Sequence, residues 1–291
     1  MYRPSCIVHR ATKHYVTLRI NFPVALSLLT LYIFTSMSTS ELFINVPYRM
    51  VEKNIKRILL IRMGIEIYFE NNLLDHISMD EVRELGKKLE ALNIACTVHA
   101  PFMDLSPGGY DRQVRHITRE KLKKTVQLAE ALNARGVVCH PSYDKWRFDG
   151  NETLWLEGSI DTWTEVLKEV PEHIPVMVEN IFEEKPDTLI ALFDYFHDKN
   201  LWFCFDTGHC NLFSTVPLDA WLLPLEKKIR EMHLHDNHGT VDEHLPIGMG
   251  TFPFRELKSF IKKLHPIMFT IEPHGEPRVE ESIKNLKEFL S

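Results

Sequence analysis

Trp202-Phe-Cys-Phe-Asp206-Thr-Gly-His209 is the stretch on which the fold turns. Its first four residues show no polar face, so a strand formed here must be covered on both sides, as strands of parallel sheets are. The run closes on Asp206, and Thr-Gly-His209 follows directly, so ionisable side chains stand at the end of a buried strand. The same layout recurs in both directions. Strand-like runs cover Leu42 to Val46, Gly64 to Phe69, Ala95 to His99, Gly136 to His140, Val176 to Glu179, Trp202 to Asp206, Glu231 to His235 and Ile267 to Glu272. Helical patterns fill the gaps, most clearly at Asp80 to Leu92, Arg112 to Leu132, Leu154 to Val170, Asp187 to Asp198, Phe254 to Leu264 and Val279 to Leu290. The alternation is βαβα, and no Pro/Gly/Ser-rich linker divides it. Eight such units predict an α/β fold with a single closed (β/α)8 barrel. The structural competitor, an open doubly wound sheet, calls for a Gly-rich phosphate turn after its first strand. Here that strand runs into Pro47-Tyr48-Arg49.

Composition sets outer bounds. A chain of 291 residues, 44% hydrophobic and 25% charged, buries a substantial core, and its net charge of -6 argues against a broad basic surface for nucleic-acid phosphates. The five cysteines, Cys6, Cys96, Cys139, Cys204 and Cys210, are odd in number and form no C-x-x-C pair, so neither a disulfide framework nor a thiolate zinc site is indicated. Three lie in apolar strand-like runs and read as buried core thiols. A reducing, cytoplasmic setting is expected. Residues 1–36 differ in kind: no Asp or Glu precedes Glu41, Arg3, Arg10, Lys13 and Arg19 are present, and Phe22 to Phe34 is an apolar run broken by Pro23, Ser27 and Thr30. That run is too short to span a bilayer, and no small-residue cleavage site follows. The segment is expected to be an extension, either upstream of a true start at Met37 or a targeting segment, with the barrel occupying residues 37–291.

The ionisable residues carry the functional signal. Strand after strand ends in a metal-ligand type: His99, His140, Glu179, Asp206, His233 and Glu272, to which His209 and the loop pair Asp242 and His244 are added. In a barrel these ends converge on one face. Each residue alone has a plainer explanation, since a strand-end carboxylate often caps the next helix and a single histidine is commonly a satisfied polar group. Capping does not, however, require histidine and glutamate at successive strand ends. The mixed donors suit a divalent ion such as zinc, manganese, cobalt, magnesium or iron(II) without choosing among them.

These residues stand in His99-Ala-Pro-Phe, His140-Pro, Val-Glu179-Asn, Phe-Asp206-Thr-Gly-His209, His233-Leu-His-Asp-Asn, Asp242-Glu-His244-Leu-Pro-Ile-Gly-Met-Gly and Ile-Glu272-Pro. With these motifs, the chain from Leu42 to Leu290 resembles the xylose isomerase-like barrels, which include sugar epimerases and endonuclease IV-type abasic-site endonucleases. The endonuclease resemblance implies three zinc ions: one on His99, His140 and Glu179, a second on Glu179, Asp206, His233 and Glu272, and a third on His209, Asp242 and His244. The isomerase and epimerase resemblance implies one divalent ion on Glu179, Asp206, His233 and Glu272, with the two glutamates also carrying protons.

The rim of the barrel separates the two. An enzyme on duplex DNA needs phosphate-binding cations and wedge residues, yet no Lys or Arg occurs between His99 and Asp111, His209 and Pro217, or Asp236 and Gly250. Arg112, Arg115, Lys145, Arg147 and Arg278 are the candidates that remain. Asn-Ile-Phe-Glu-Glu after Glu179 and the lack of an Arg-bearing stretch before His244 also depart from the endonuclease pattern. The expected function is therefore a metal-dependent sugar, sugar-phosphate or keto-polyol isomerase or epimerase working through an enediolate, with Glu179 and Glu272 moving the proton and His209 orienting hydroxyls. Dehydration shares its first step. A three-zinc abasic-site endonuclease is the second reading, and a non-catalytic metal- or sugar-binding barrel the third. The expected partner is a small polar substrate, a sugar or sugar phosphate, rather than nucleic acid or a membrane. Phe102, Tyr143, Trp146 and Phe213 are candidates to stack on a sugar face.

Overall fold

The computed structural model describes residues 42–264 and 267–291. The expected extension over residues 1–36 lies outside the described residues. The first half of the barrel comprises β1 (Leu42–Pro47), α1 (Tyr48–Ile61), β2 (Gly64–Tyr68), α2 (Asn71–Leu74), α3 (Met79–Ala91), β3 (Cys96–His99), α4 (Arg112–Ala131), β4 (Val137–Cys139) and α5 (Glu152–Val166). The second comprises β5 (Val176–Glu179), α6 (Asp187–Tyr195), β6 (Leu201–Asp206), α7 (Thr207–Phe213), α8 (Leu218–Leu225), β7 (Ile229–His233), α9 (Phe254–Ile261), β8 (Met268–Ile271) and α10 (Glu276–Leu290). The strands form one closed barrel in sequence order, and β1 pairs in parallel with both β2 and β8. The expected (β/α)8 architecture is what the chain adopts.

Local chemistry accounts for the helix starts. Ser78 caps α3 by accepting from the Glu81 N–H at 3.4 Å, and Asp80 and Glu81 place acidic charge in its first turn. Asp111 accepts from the Gln113 and Val114 N–H groups at the start of α4, and Asn151 from Leu154 N–H at the start of α5. Outward-facing strand residues and the inner helix faces fill the layer between sheet and helices. Trp155, Trp163 and Trp221 are fully buried there, as are Phe203, Phe205 and Phe269. Burying each such side chain is worth about 1.5–3 kcal/mol relative to leaving it exposed. Cys96, Cys139 and Cys204 are buried free thiols, as their apolar setting suggested. No helix among the described residues is long and apolar enough to cross a membrane.

The inside of the barrel is less usual. Below its mouth lies an apolar patch of Val138, Met177 and Cys204. Beside that patch the fully buried carboxyl groups of Glu66 and Glu231 point inward. Glu66 accepts from Asn45 at 2.9 Å and Thr97 at 3.4 Å, and Thr270 donates to Glu231. Burial, reinforced by the charge of Glu66, pushes the Glu231 carboxyl up to about 8. The barrel thus carries polar groups directly under its mouth.

Candidate metal centre at the barrel mouth

β7 runs from Ile229 to His233, two residues earlier than its sequence pattern suggested, so His233 ends the strand and His235 belongs to the loop that follows. Both side chains nonetheless point to the barrel axis, and His233 is fully buried. His233 Nδ1 has Glu272 Oε1 at 3.5 Å, Glu179 Oε2 at 3.6 Å and Asp206 Oδ2 at 3.8 Å, contributed by three other strand ends. Its Nε2 faces Glu66 Oε2 at 3.4 Å, yet neither ring nitrogen makes a hydrogen bond. Buried, unpaired donor and acceptor atoms of this kind are costly unless a further group satisfies them. The donor set around Nδ1, one imidazole and three carboxylates, fits a divalent ion.

The other expected residues gather around this point. Glu179 lies at the hub: His99 Nε2 is 3.2 Å and His140 Nε2 3.3 Å from its Oε2, and His209 Nδ1 is 3.0 Å from its Oε1. His209 Nε2 approaches Asp242 Oδ2 at 3.7 Å, and His244 Nε2 meets the same oxygen at 2.9 Å. All nine residues are therefore brought together in one continuous cluster. Within it, donor atoms of His99, Glu179 and His233, of Glu66, His233 and Glu272, of Asp206, His209 and His235, and of His235, His244 and Glu272 lie within 4.8 Å of one another.

The rings are aimed by hydrogen bonds at their far nitrogens, as metal-ligating histidines commonly are. His99 Nδ1 donates to Ala100 O at 2.8 Å and so turns Nε2 towards Glu179, whereas His209 Nδ1 donates to Asn180 O at 3.1 Å and His244 Nδ1 to Glu272 O at 2.9 Å, so both turn Nε2 towards Asp242. Asn180 also bridges to Asp206, donating to its carbonyl at 3.0 Å and accepting from its N–H at 2.9 Å, which ties the ends of β5 and β6 together.

Asp-Thr-Gly-His209 has a task for every residue. Asp206 caps α7, accepting from His209 N–H at 2.6 Å, so the plain reading of a strand-end carboxylate also holds for it. Thr207 Oγ donates to His235 O at 2.7 Å and accepts from His235 N–H at 3.1 Å. Gly208 makes room, because a Cβ there would lie 2.0 Å from His235 Cε1. The loop bearing Asp242 and His244 is folded by buried Asp236, whose Oδ1 accepts from Asn237 and Phe252 N–H and whose Oδ2 accepts from Gly248 and Gly250 N–H, all at 2.8–3.1 Å.

Electrostatics follows from carboxylates and imidazoles crowded together. Burial alone would raise Glu179, but the charges of His233 and His140 outweigh it and hold the carboxyl well below its ordinary value. Burial lowers His99, yet hydrogen bonding to Glu179 and the charge of Glu66 carry it up to about 9. Burial brings His140 down to about 4 and His244 down to about 3, and it raises Glu272. Acidic and basic side chains here compensate one another, with His99, His209, His233 and His235, all raised, as the ion-pair partners of Glu179, Asp206, Asp242 and Glu272.

Among the stacking candidates, Trp146 is 83% exposed at the mouth, whereas Tyr143 is buried between Phe148 and Trp155 and has no free face. Phe102 stacks on His140 at 4.4 Å, and Phe213 packs edge-on against Phe182. Of the rim cations, Arg115 pairs with Asp161 and the carbonyls of Gly109 and Tyr110, Lys145 pairs with Glu184, and Arg278 donates to Glu243 O. Arg112 and Arg147 are exposed.

A family profile described as xylose isomerase-like TIM barrel matches residues 63–289. The chain belongs to that family. Among curated relatives of this xylose isomerase-like barrel, an uncharacterized protein of Methanocaldococcus jannaschii is 27% identical over 224 residues, 74% of this chain and 76% of the relative. A probable endonuclease 4 of Ureaplasma parvum is 24% identical over 213 residues, 66% of this chain and 68% of the relative. Among solved structures, a D-tagatose 3-epimerase-like protein superposes with a TM-score of 0.74 at 26% identity, covering 86% of this chain and 97% of that one. The xylose isomerase-like superfamily thus includes both epimerases and endonuclease IV, and this barrel shares its fold with both.

Several residues around the centre escaped the sequence reading: Glu66, Asn45, Glu183, Glu231, His235 and Asp236. Two had a legible signal, since Glu231 and His235 stand two residues either side of His233 and therefore share its face of the strand. Glu183, in the loop after β5, is 2% exposed, and burial pushes its carboxyl up to about 7. Its Oε2 accepts from Ile181 N–H at 2.7 Å, and its Oε1 has no partner.

Proposed function

We propose that this chain is a divalent-metal-dependent sugar, sugar-phosphate or keto-polyol isomerase or epimerase that works by proton transfer through an enediolate. The observation that carries the reading is the convergence of Glu179, Asp206 and Glu272 on His233 Nδ1, each within 3.8 Å. A divalent ion held by these four side chains would polarise a hydroxy-carbonyl group and acidify the neighbouring C–H. Glu179 at the end of β5 and Glu272 at the end of β8 reach the centre from strands three apart in the closed barrel, and in this reading one carboxylate removes the proton and the other returns it. His209, anchored through Nδ1 on Asn180 O, orients a substrate hydroxyl. Exposed Trp146 offers an apolar face to a sugar ring at the mouth.

The rim supports a small substrate over duplex DNA. Arg115, Lys145 and Arg278 are engaged by the protein itself, while Met103, Tyr110, Trp146, Phe182, Val241 and Met249 are the large apolar side chains exposed on the same loops. Turnover of a keto- or aldo-sugar in deuterated water is the test. Deuterium is expected at the carbon beside the carbonyl, and Glu179→Gln should lower turnover far more than substrate affinity. Efficient incision of abasic duplex DNA, with no isotope exchange in any sugar, would overturn the reading in favour of the three-zinc nuclease.

A further inference from the structure

We propose that the substrate carries a second sugar ring, held in a cavity between the loops that follow β3 and β4. The inference rests on the isomerase reading and narrows its substrate class to reducing disaccharides: one ring presents its hydroxy-carbonyl group at the mouth, and the other occupies the cavity. Both loops leave strands that lead to the centre, since β3 ends in His99 and β4 stops one residue short of His140. The cavity has a volume of about 470 Å³, which falls within the roughly 300–1,000 Å³ of small-molecule sites. Val114, Phe148 and Leu154, buried or half-buried, form its apolar wall, and Tyr110 stands beside them 77% exposed.

The chain that carries Tyr110 is held at its main chain, although the ring is left in the open. Arg115 donates to the carbonyls of Gly109 at 2.6 Å and Tyr110 at 3.0 Å, and its Nε donates to Asp161 at 3.2 Å. Thr162 donates to Pro107 O at 2.7 Å, and Gly108 lies so close to α5 that a Cβ there would be 2.3 Å from Trp155 Cδ1. The loop across the cavity is held in the same way. Phe148 N–H donates to Asp144 O at 3.1 Å, Gly150 N–H donates to Lys145 O at 2.7 Å, and the Phe148 ring stacks on Tyr143 at 5.8 Å. Two loops fixed by their main chains thus present an aromatic face and charged groups that the fold itself does not use, and such preorganisation favours binding.

The polar groups select the ligand. The Arg147 guanidinium and the Asp149 carboxylate pair with no other side chain among the described residues, and Asp111 uses only Oδ1, on the N–H groups of Gln113 and Val114. A guanidinium fork donates to two neighbouring hydroxyl oxygens, and carboxylates accept from hydroxyl hydrogens, so the vicinal hydroxyls of a sugar satisfy both kinds at once. The C–H face of the same ring then lies on Tyr110. A wholly apolar ligand would bury these charges unpaired, and two carboxylates in the wall oppose a phosphate.

Binding tests the cavity separately from the reaction. Zinc-loaded protein is titrated by calorimetry with cellobiose, maltose, laminaribiose, isomaltose and lactose, and with D-glucose, the reducing unit of all five. At least one disaccharide should bind about tenfold or more tightly than glucose. Tyr110→Ala and Arg147→Ala, changes at exposed side chains that leave the fold intact, should each remove most of that gain and leave glucose affinity and zinc content unchanged. No disaccharide binding more tightly than glucose, or a gain that survives in either variant, would overturn the second-ring site. Deuterium exchange in the same sugars reports on the isomerase reading: a disaccharide gain without exchange would sink the reaction and keep the cavity, and exchange without a gain would do the reverse.

Discussion

Glu183→Gln is a test of the site's electrostatics that needs no substrate. Wild-type Glu183 has its carboxyl moved from an ordinary 4.5 up to about 7, and the first cause is burial beside the cluster. Below pH 4.5 the group holds its proton in both folded and unfolded chains. Between pH 4.5 and 7 the unfolded chain releases the proton and the folded chain keeps it, so the folded state binds more protons and stability falls as pH rises. That interval, at about 1.4 kcal/mol per decade of proton concentration, corresponds to about 3 kcal/mol. Above pH 7 the full penalty persists. Glutamine matches the neutral acid in size and cannot ionise, so the variant should equal the wild type near pH 4.5 and exceed it by about 3 kcal/mol at pH 7.5. Urea unfolding of both proteins, stripped of metal and measured at half-unit steps from pH 4.5 to 8, reads the difference directly. A difference that stays flat across this range would show that Glu183 is not held neutral by its surroundings.

Two further changes probe how the loops are held. Gly208→Ala puts a methyl group 2.0 Å from His235 Cε1, so the ring must leave and give up its hydrogen bond to Asp206 Oδ2, and urea unfolding should show stability down by about 1–3 kcal/mol. Unaltered stability would mean that the ring has another resting place. Asp236→Ala leaves the N–H groups of Asn237, Gly248, Gly250 and Phe252 without their carboxylate, at about 1.5–3 kcal/mol for a bond of this charged type. Hydrogen exchange should accelerate at those amides and stay slow in the strands; protection that survives would assign the loop's order to other contacts.

The barrel was legible because its strands are apolar throughout and end in ionisable residues: Val176–Glu179 stands in the structure with the bounds its pattern suggested. Helix α1 is among the less distinct helical patterns, since Tyr48–Ile61 mixes Lys, Arg and Asn with its apolar stripe and lacks a capping side chain at Pro47. The loop helices α7 and α8 were missed for a related reason, being only 7 and 8 residues long and, in α8, containing Pro224. Strand-end ligands could be read because a barrel gathers strand ends whatever their separation in sequence. Glu66 and Asp236 could not, because their roles depend on what stands opposite: His233 for one, and four loop amides for the other. Tyr143 illustrates the converse error, an aromatic at the right distance from a strand end whose ring is turned inward onto Trp155.

The paired acids Glu66 and Glu231 give the barrel a second storey. Most barrels of this kind are floored with branched aliphatic side chains, and the floor then has no say in what happens above it. Here the ring of His233 has one edge in each storey, Nδ1 with the ligands and Nε2 with Glu66. Replacing an acid on the lower floor would alter how strongly that imidazole gives electron density to an ion without touching a residue that substrate meets. On the proposed metal reading, evolution or a designer can therefore retune a bound ion from the basement while the doorway stays as it is.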